Sequence, residues 1–348
     1  MNVKTVGILT GGGDCPGLNA VIRAVVRRGD ALGYKIVGIL EGWRGLLENK
    51  VEPLNLESVS GILYRGGTIL RTSRTNPLKH PNGMATLQQN LQVHGIDALI
   101  AVGGDDTLSV TDGLFQRGVC VVGVPKTIDN DLSGTDYCFG FDTAVNIATE
   151  AIDRLHTTAE AHNRVMIVEV MGRDTGWIAV AAGLAGGADL TLIPERAVDF
   201  DQICDVVRKR SERGKYFSII VVAEGVKLLL ESGQPGQVRQ GHITDEFGHV
   251  QLGGVGTVLA RELESRLGME TRVVVLGHVQ RGGSPTAFDR ILATRFGVAA
   301  IDMVHQNEFG KMVALQGNQI VGIPLKEAAK GPRPVSAELY ATAAAFFG

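Results

Sequence analysis

At 348 residues, 44% hydrophobic and 20% charged, the chain has the apolar content of a folded protein with a large core, which excludes a disordered one. A net charge of −3 leaves no global basic field, so neither nucleic acid nor an anionic membrane surface is an expected partner. Four widely spaced cysteines without a C-x-x-C pattern, no apolar run of membrane-spanning length, and a start that enters the strand-like Val3–Leu9 directly lead us to expect a reduced, cytoplasmic protein.

In chain order, apolar strand-like runs fall at Val6–Leu9, Lys35–Leu40, Ala98–Val102, Val119–Val124, Val165–Val170, Leu190–Ile193, Ser218–Ala223 and Arg272–Leu276. They do not alternate, as strands buried on both faces should not. Helical patterns lie between them at Leu18–Leu32, Met84–His94, Asp142–Ala161, Phe200–Arg213, Val255–Leu267 and Pro285–His305. This alternation predicts an α/β fold with parallel, doubly wound sheets and ligands at the carboxyl ends of the strands. Eight strands are many for one sheet, so the expected architecture is two Rossmann-like domains facing a shared cleft, with a boundary near residue 140. The most linker-like stretch is Glu231–Gln237, expected to be a surface excursion. The 46 glycines cluster at strand ends, which suits tight turns and close backbone approach to a ligand.

Chemistry gathers at those ends. Thr10-Gly-Gly-Gly-Asp-Cys-Pro-Gly-Leu-Asn19 offers backbone amides near a helix start, either for a phosphate or simply for a tight turn that packs helix on sheet. It matches neither G-x-G-x-x-G nor the P-loop pattern. Arg71 and Arg74, in a polar loop after Gly66-Gly67, are solubilising residues or phosphate clamps. Val102-Gly-Gly-Asp-Asp-Thr107 repeats the strand, glycine pair and acid, with Thr107 as the expected helix cap. In Gly123-Val-Pro-Lys-Thr-Ile-Asp-Asn-Asp131, an extended backbone would align Thr127, Asp129 and Asp131 on one face beside Lys126. Alone this is a polar turn; with Asp105-Asp106 it is a convergence of four carboxylates. Two unit charges about 4 Å apart interact by roughly 4 kcal/mol at an effective dielectric near 20, so the group calls for a cation, and all-oxygen ligands favour Mg2+ over zinc. Arg173, Glu224, His278 and Arg281 follow further strands, His278 being a core residue, a cap or a site residue.

Taken together, G-G-G-D-x-x-G-x-N at 11–19, G-G-D-D-T at 103–107, P-K-T-I-D-N-D at 125–131, M-G-R at 171–173 and G-H-V-Q-R-G-G-S-P at 277–285 resemble the 6-phosphofructokinase family over most of the chain. The resemblance implies phosphoryl transfer to the 1-hydroxyl of fructose 6-phosphate, with Asp129 as general base, Thr127 and Asp131 placing substrate and metal, and Asp105 holding Mg2+. It implies that Arg173 stabilises the transferring group alongside Gly12, and that Arg74 contacts the donor. Met171, Gly172, Glu224, His278 and Arg281 would line the sugar-phosphate site. Arg164 and Arg272 match positions that reach the 6-phosphate from a neighbouring subunit, implying a homo-oligomer, dimer or tetramer, with shared sites. The implied division is a donor domain of 1–140 plus about 280–330, and a sugar-phosphate domain of 141–279 plus about 331–348.

Two residues depart from the ATP-using pattern, which has glycines where this chain has Asp106 and Lys126. A carboxylate where a nucleotide's α-phosphate needs room, and an ammonium within reach of a small polyanion, suit inorganic pyrophosphate. The pair resembles that of the pyrophosphate-dependent branch, which works reversibly. An ATP-dependent enzyme and a catalytically silent phospho-sugar-binding regulator are the alternatives, and sedoheptulose 7-phosphate is a possible second substrate. Arg23 and Arg27 match basic effector positions of the family, but His156 and Tyr216-Phe217 stand where basic residues are usual. Residues 227–254 have no assigned role.

Overall fold

The computed structural model describes residues 3–229 and 235–348. The chain opens with β1 (Thr5–Thr10), α1 (Leu18–Ala31), β2 (Lys35–Ile39), α2 (Gly42–Leu47) and β3 (Val51–Leu54). After a long polar loop come α3 (Gly83–Val93), β4 (Ala98–Gly103), α4 (Asp105–Phe115) and β5 (Val121–Pro125). Next are α5 (Phe141–His162), β6 (Val165–Val170), α6 (Trp177–Ala185), β7 (Leu190–Leu192), α7 (Phe200–Glu212) and β8 (Ser218–Ala223). Four short strands, β9 (Lys227–Leu229), β10 (Pro235–Gln237), β11 (Arg239–Thr244) and β12 (Val250–Leu252), precede α8 (Val255–Leu267) and β13 (Thr271–Val275). The chain closes with α9 (Ala287–His305), β14 (Lys311–Gln316), β15 (Gln319–Pro324) and α10 (Ala337–Ala344).

Two compact units result. The first comprises Met1–Thr143, Asp245–His249 and Arg281–Gly331; the second comprises Ala144–Thr244, Val250–Gln280 and Pro332–Gly348. The first holds a seven-stranded sheet in the order β15-β14-β5-β4-β1-β2-β3. Its centre is parallel, and antiparallel β3 and β15 close its two edges. The second holds a parallel sheet in the order β13-β6-β8-β7. The α/β class and the largely parallel sheets therefore follow the periodicity, and strands such as Ala98–Gly103 and Val165–Val170 are buried at every position.

In the first unit the chain lays β1, β2 and β3 on one side and β4 and β5 on the other. This creates a switch point between β1 and β4, where open α/β sheets bind ligands. On one face, α1 and α9 pack so closely that a β-carbon on Gly297 would come within 2.7 Å of Ala24 Cβ. The start of α9 is tied down by a buried carboxylate: Asp289 accepts bonds from the Thr143 amide (2.8 Å) and hydroxyl. Burial pushes the Asp289 carboxyl up to about 6 despite those bonds. Its folded pKa lies above its unfolded one, so the folded state keeps this proton longer. The associated stability is whole below about pH 4 and lost as pH rises through about 6, at most about 3 kcal/mol. Unfolding of wild type and Asp289→Asn between pH 4 and 7 is expected to show that decline in the difference between them. A difference that does not change with pH would remove this assignment.

Three expectations need correction. The 125–131 segment does not stay extended: Asn130 has φ +52°, and the Asp129 amide folds back onto Thr127 Oγ1 at 3.1 Å. Thr107 does not cap α4; Gly104 precedes that helix, and Thr107 is buried in its first turn with its side chain against Gly11 and Gly103. The antiparallel edge strands and α2, α6 and α10 carry too little periodic signal to be found, α6 because it is apolar almost all round. Of the stretch read as a linker, residues 231–234 lie outside the described residues, and Pro235–Gln237 forms strand β10 against β9.

Candidate active site

Neighbouring strands β1, β4 and β5 of the first unit deliver three loops to one end of the sheet. The first glycine loop is fixed from both sides. Gly11 donates to Val102 O (2.9 Å), Gly12 to Ser73 O (3.2 Å), and Thr72 Oγ1 donates to Gly12 O (2.7 Å). Gly12, at φ +76°, takes a conformation that favours glycine, and a β-carbon on Gly103 would stand 2.4 Å from Thr107 Cβ. The loop that carries Arg71 and Arg74 is thus part of the same construction. Arg71 itself is exposed at φ +58°, and Arg74 pairs with Asp245 at 3.2 Å.

Lys126 continues β5 into this construction. Its side chain is 4% exposed, and its ammonium donates to Gly13 O. Burial lowers the Lys126 pKa, and the nearby Arg281 guanidinium adds to that, against opposing charges that include Asp14 and Asp105. Arg281 donates to Asp14 O at 3.1 Å and packs against Gly13, so it belongs to the first unit's glycine loop. Two cations therefore sit behind one glycine turn, with one of them buried. A polyanion at that turn would restore the balance.

Carboxylates face this group. Burial and the charges of Asp129 and Asp105 push the Asp131 carboxyl up to about 7, while its own amide and the Thr127 hydroxyl pull it down. Asp131 thus feels the charges of both Asp129 and Asp105. Asp106 takes a different neighbour, His249, whose Nδ1 lies 3.6 Å from its Oδ2. No cluster of three or more acidic, His or Cys side chains close enough to cage a metal exists among the described residues. Hard carboxylate oxygens under mutual repulsion nevertheless fit Mg2+, which is usually held by one or two carboxylates plus substrate phosphates. Sequence reasoning missed Asp245 and His249. Their Asp-x-x-Gly turn has no catalytic spacing, and only the fold brings them to Asp106.

In the second unit, β13, β6 and β8 are neighbours, and Met171–Arg173, Glu224 and His278 follow their carboxyl ends. Gly172, at φ +134°, accepts from Gly225 N at 3.0 Å, while Glu224 N donates to Val170 O at 2.9 Å. Gln237 Nε2 donates to the carbonyls of Arg173 (3.1 Å) and Gly225 (3.2 Å) and clamps the two turns. Beneath them, buried Glu169 accepts the amides of Gly254 (2.9 Å) and Gly256 (2.8 Å) at the start of α8. Arg164 and Arg272 are not in this group. They lie at the amino ends of β6 and β13 and share Glu270, with Arg164 at 2.6 Å. His156 bonds Gly186 O at 2.7 Å beside the Phe217 ring, over which the Arg210 guanidinium also lies.

Paired glycine loops, acidic side chains and a buried lysine thus stand at the switch point of a doubly wound α/β sheet. A profile of the phosphofructokinase family matches residues 5–304, and the chain belongs to that family. It is 57% identical over 345 residues to the pyrophosphate–fructose 6-phosphate 1-phosphotransferase of Streptomyces coelicolor, covering 99% of both chains. It is 53% identical over 347 residues to the ATP-dependent 6-phosphofructokinase of Mycobacterium leprae, again covering 99% of each. Among solved structures, Pichia pastoris phosphofructokinase in the T-state superposes with a TM-score of 0.81 at 36% identity, over 94% of this chain and 38% of that one.

Proposed function

We propose that the chain transfers a phosphoryl group reversibly from pyrophosphate to the 1-hydroxyl of fructose 6-phosphate, giving fructose 1,6-bisphosphate and phosphate. The observation that carries the donor assignment is Lys126, buried under the first glycine loop with its ammonium on Gly13 O. Overall identity separates the two named donors by 57% against 53%, so the choice rests on Lys126 and Asp106. A glycine pair at these positions would leave room for a nucleotide; a buried ammonium and a carboxylate instead reward a short polyanion. The ATP-dependent reading is second, favoured by the Mycobacterium leprae relative.

In this reading the first unit holds the donor through Gly12, Arg74, Asp106 and Lys126, while Arg281, expected to line the sugar-phosphate site, stands beside the glycine loop at Gly13 and Asp14. The second holds the sugar phosphate through Met171, Gly172, Arg173, Glu224 and His278. Asp129 accepts the proton of the attacking hydroxyl, Thr127 orients the segment through its bond from the Asp129 amide, and Arg173 offsets charge on the transferring group. Asp105, with Asp129 and Asp131 beside it, would hold Mg2+, which when bound neutralises phosphoryl oxygens. Arg164 and Arg272 stand away from their own chain's strand-end group, which supports a homo-oligomer in which a partner copy supplies them for the 6-phosphate. The four cysteines are free and three of them are buried, which suits a cytoplasmic enzyme. The test is turnover of purified enzyme with fructose 6-phosphate and Mg2+. We expect activity with pyrophosphate and little with ATP, and the reverse result would move the chain to the second reading.

A further inference from the structure

The turn Asp245–His249 carries contacts that the proposed reaction does not use. It belongs to the first compact unit, although β11 and β12 on either side of it belong to the second. The turn is self-organised. Asp245 Oδ1 accepts the amides of Phe247 (3.0 Å) and His249 (2.9 Å), the Asp245 amide donates to His249 O (3.0 Å), and Gly248 closes the bend at φ +95°. The Phe247 and His249 rings stack, with centroids 6.4 Å apart and planes 22° apart.

From this rigid base one carboxylate reaches two neighbours. Asp245 Oδ2 lies 3.2 Å from Arg74 Nη1 and 3.3 Å from His249 Nδ1, and that same nitrogen lies 3.6 Å from Asp106 Oδ2. Glu246 anchors the turn separately, accepting the Asn76 amide at 2.7 Å. Burial alone would raise the Asp245 carboxyl, but the amide and ring of His249, the Phe247 amide and the Arg74 guanidinium bring it below the usual carboxylate range. The result is a row of close charged contacts, Arg74–Asp245–His249–Asp106, whose two histidine links, at 3.3 and 3.6 Å, are ion pairs when the ring is protonated, the longer one lying beyond hydrogen-bond range. Arg74 is half exposed, so its ion pair contributes little to stability. Its value lies in orientation, because an anchored network holds side chains in one geometry.

We propose that the Asp245–His249 turn is a donor-specificity element, in which His249 is the positioning residue that fixes the Asp106 carboxylate and, through Asp245, the Arg74 guanidinium for pyrophosphate. This rests on the pyrophosphate reading given above. It also gives a role to the turn at 245–249 within the otherwise unassigned 227–254 stretch. His249→Ala is expected to raise KM for pyrophosphate about tenfold, ~1.4 kcal/mol, with KM for fructose 6-phosphate and the melting temperature little changed. His249→Asn, whose amide nitrogen stands near the place of Nδ1, should recover most of the loss. In an Asp106→Gly background the His249→Ala change should add little, because the partner it positions is gone. Equal changes in both KM values, no change in either, or a full effect persisting without Asp106 would each overturn the proposal. A wild-type enzyme that used ATP and not pyrophosphate would sink the donor reading and this proposal with it. One that used pyrophosphate yet ignored His249→Ala would sink the proposal alone.

Discussion

An Asp129→Asn enzyme is expected to lose about 1000-fold in kcat, with both KM values within about threefold of wild type. Carboxamide and carboxylate have the same shape, so the substitution changes the chemistry of residue 129 far more than its size. Asn130 shapes that turn: its Oδ1 accepts the Cys138 amide at 2.9 Å and its Nδ2 donates to Asp136 O at 3.4 Å. The Thr127 hydroxyl holds the backbone amide of residue 129, which the substitution keeps. What disappears is the ability to accept the proton of an attacking hydroxyl. Steady-state rates with saturating sugar phosphate and donor check this. A variant within tenfold of wild type would mean that another group is the base.

Replacing both donor-side residues, Asp106→Gly with Lys126→Gly, should lower kcat/KM for pyrophosphate by at least about 100-fold while activity with ATP rises. Lys126 sits behind Gly13 with its ammonium held on the Gly13 carbonyl, so a polyanion at the turn meets a positioned charge without reorganisation. At about 4 Å and an effective dielectric near 20, that attraction is worth roughly 4 kcal/mol, enough for such a loss. The two single variants should differ. Lys126→Gly alone loses pyrophosphate without gaining ATP, because the Asp106 carboxylate still opposes a nucleotide phosphate. Asp106→Gly alone loses less, and frees His249 from its partner. Donor kinetics that stay put in the double variant would remove this account of selectivity.

Much of the fold was legible because buried parallel strands are written as unbroken apolar runs, and the runs at 98–102 and 165–170 lie within strands Ala98–Gly103 and Val165–Val170. The edge strands were not, because Val51–Leu54 is half exposed and short, and its proline is tolerated only at an edge. Asp105, Lys126 and Asp129 could be singled out because strand-end glycines and acids stand together in the sequence. Their relation could not. Local propensity favoured an extended run through residue 131, and Asn130 broke it with a left-handed backbone that asparagine tolerates. His249 was invisible for a different reason: it is 143 positions from Asp106, and only the tertiary fold makes them neighbours.

The central claim is that a buried ammonium and an anchored carboxylate close the donor side to nucleotides and open it to a short polyanion. Its most direct test is the ratio of kcat/KM for pyrophosphate to that for ATP, measured on one preparation at saturating fructose 6-phosphate and Mg2+. We expect a ratio above about 100, in line with the loss of a well-placed charge contact. A ratio near one, or one that favours ATP, would contradict it.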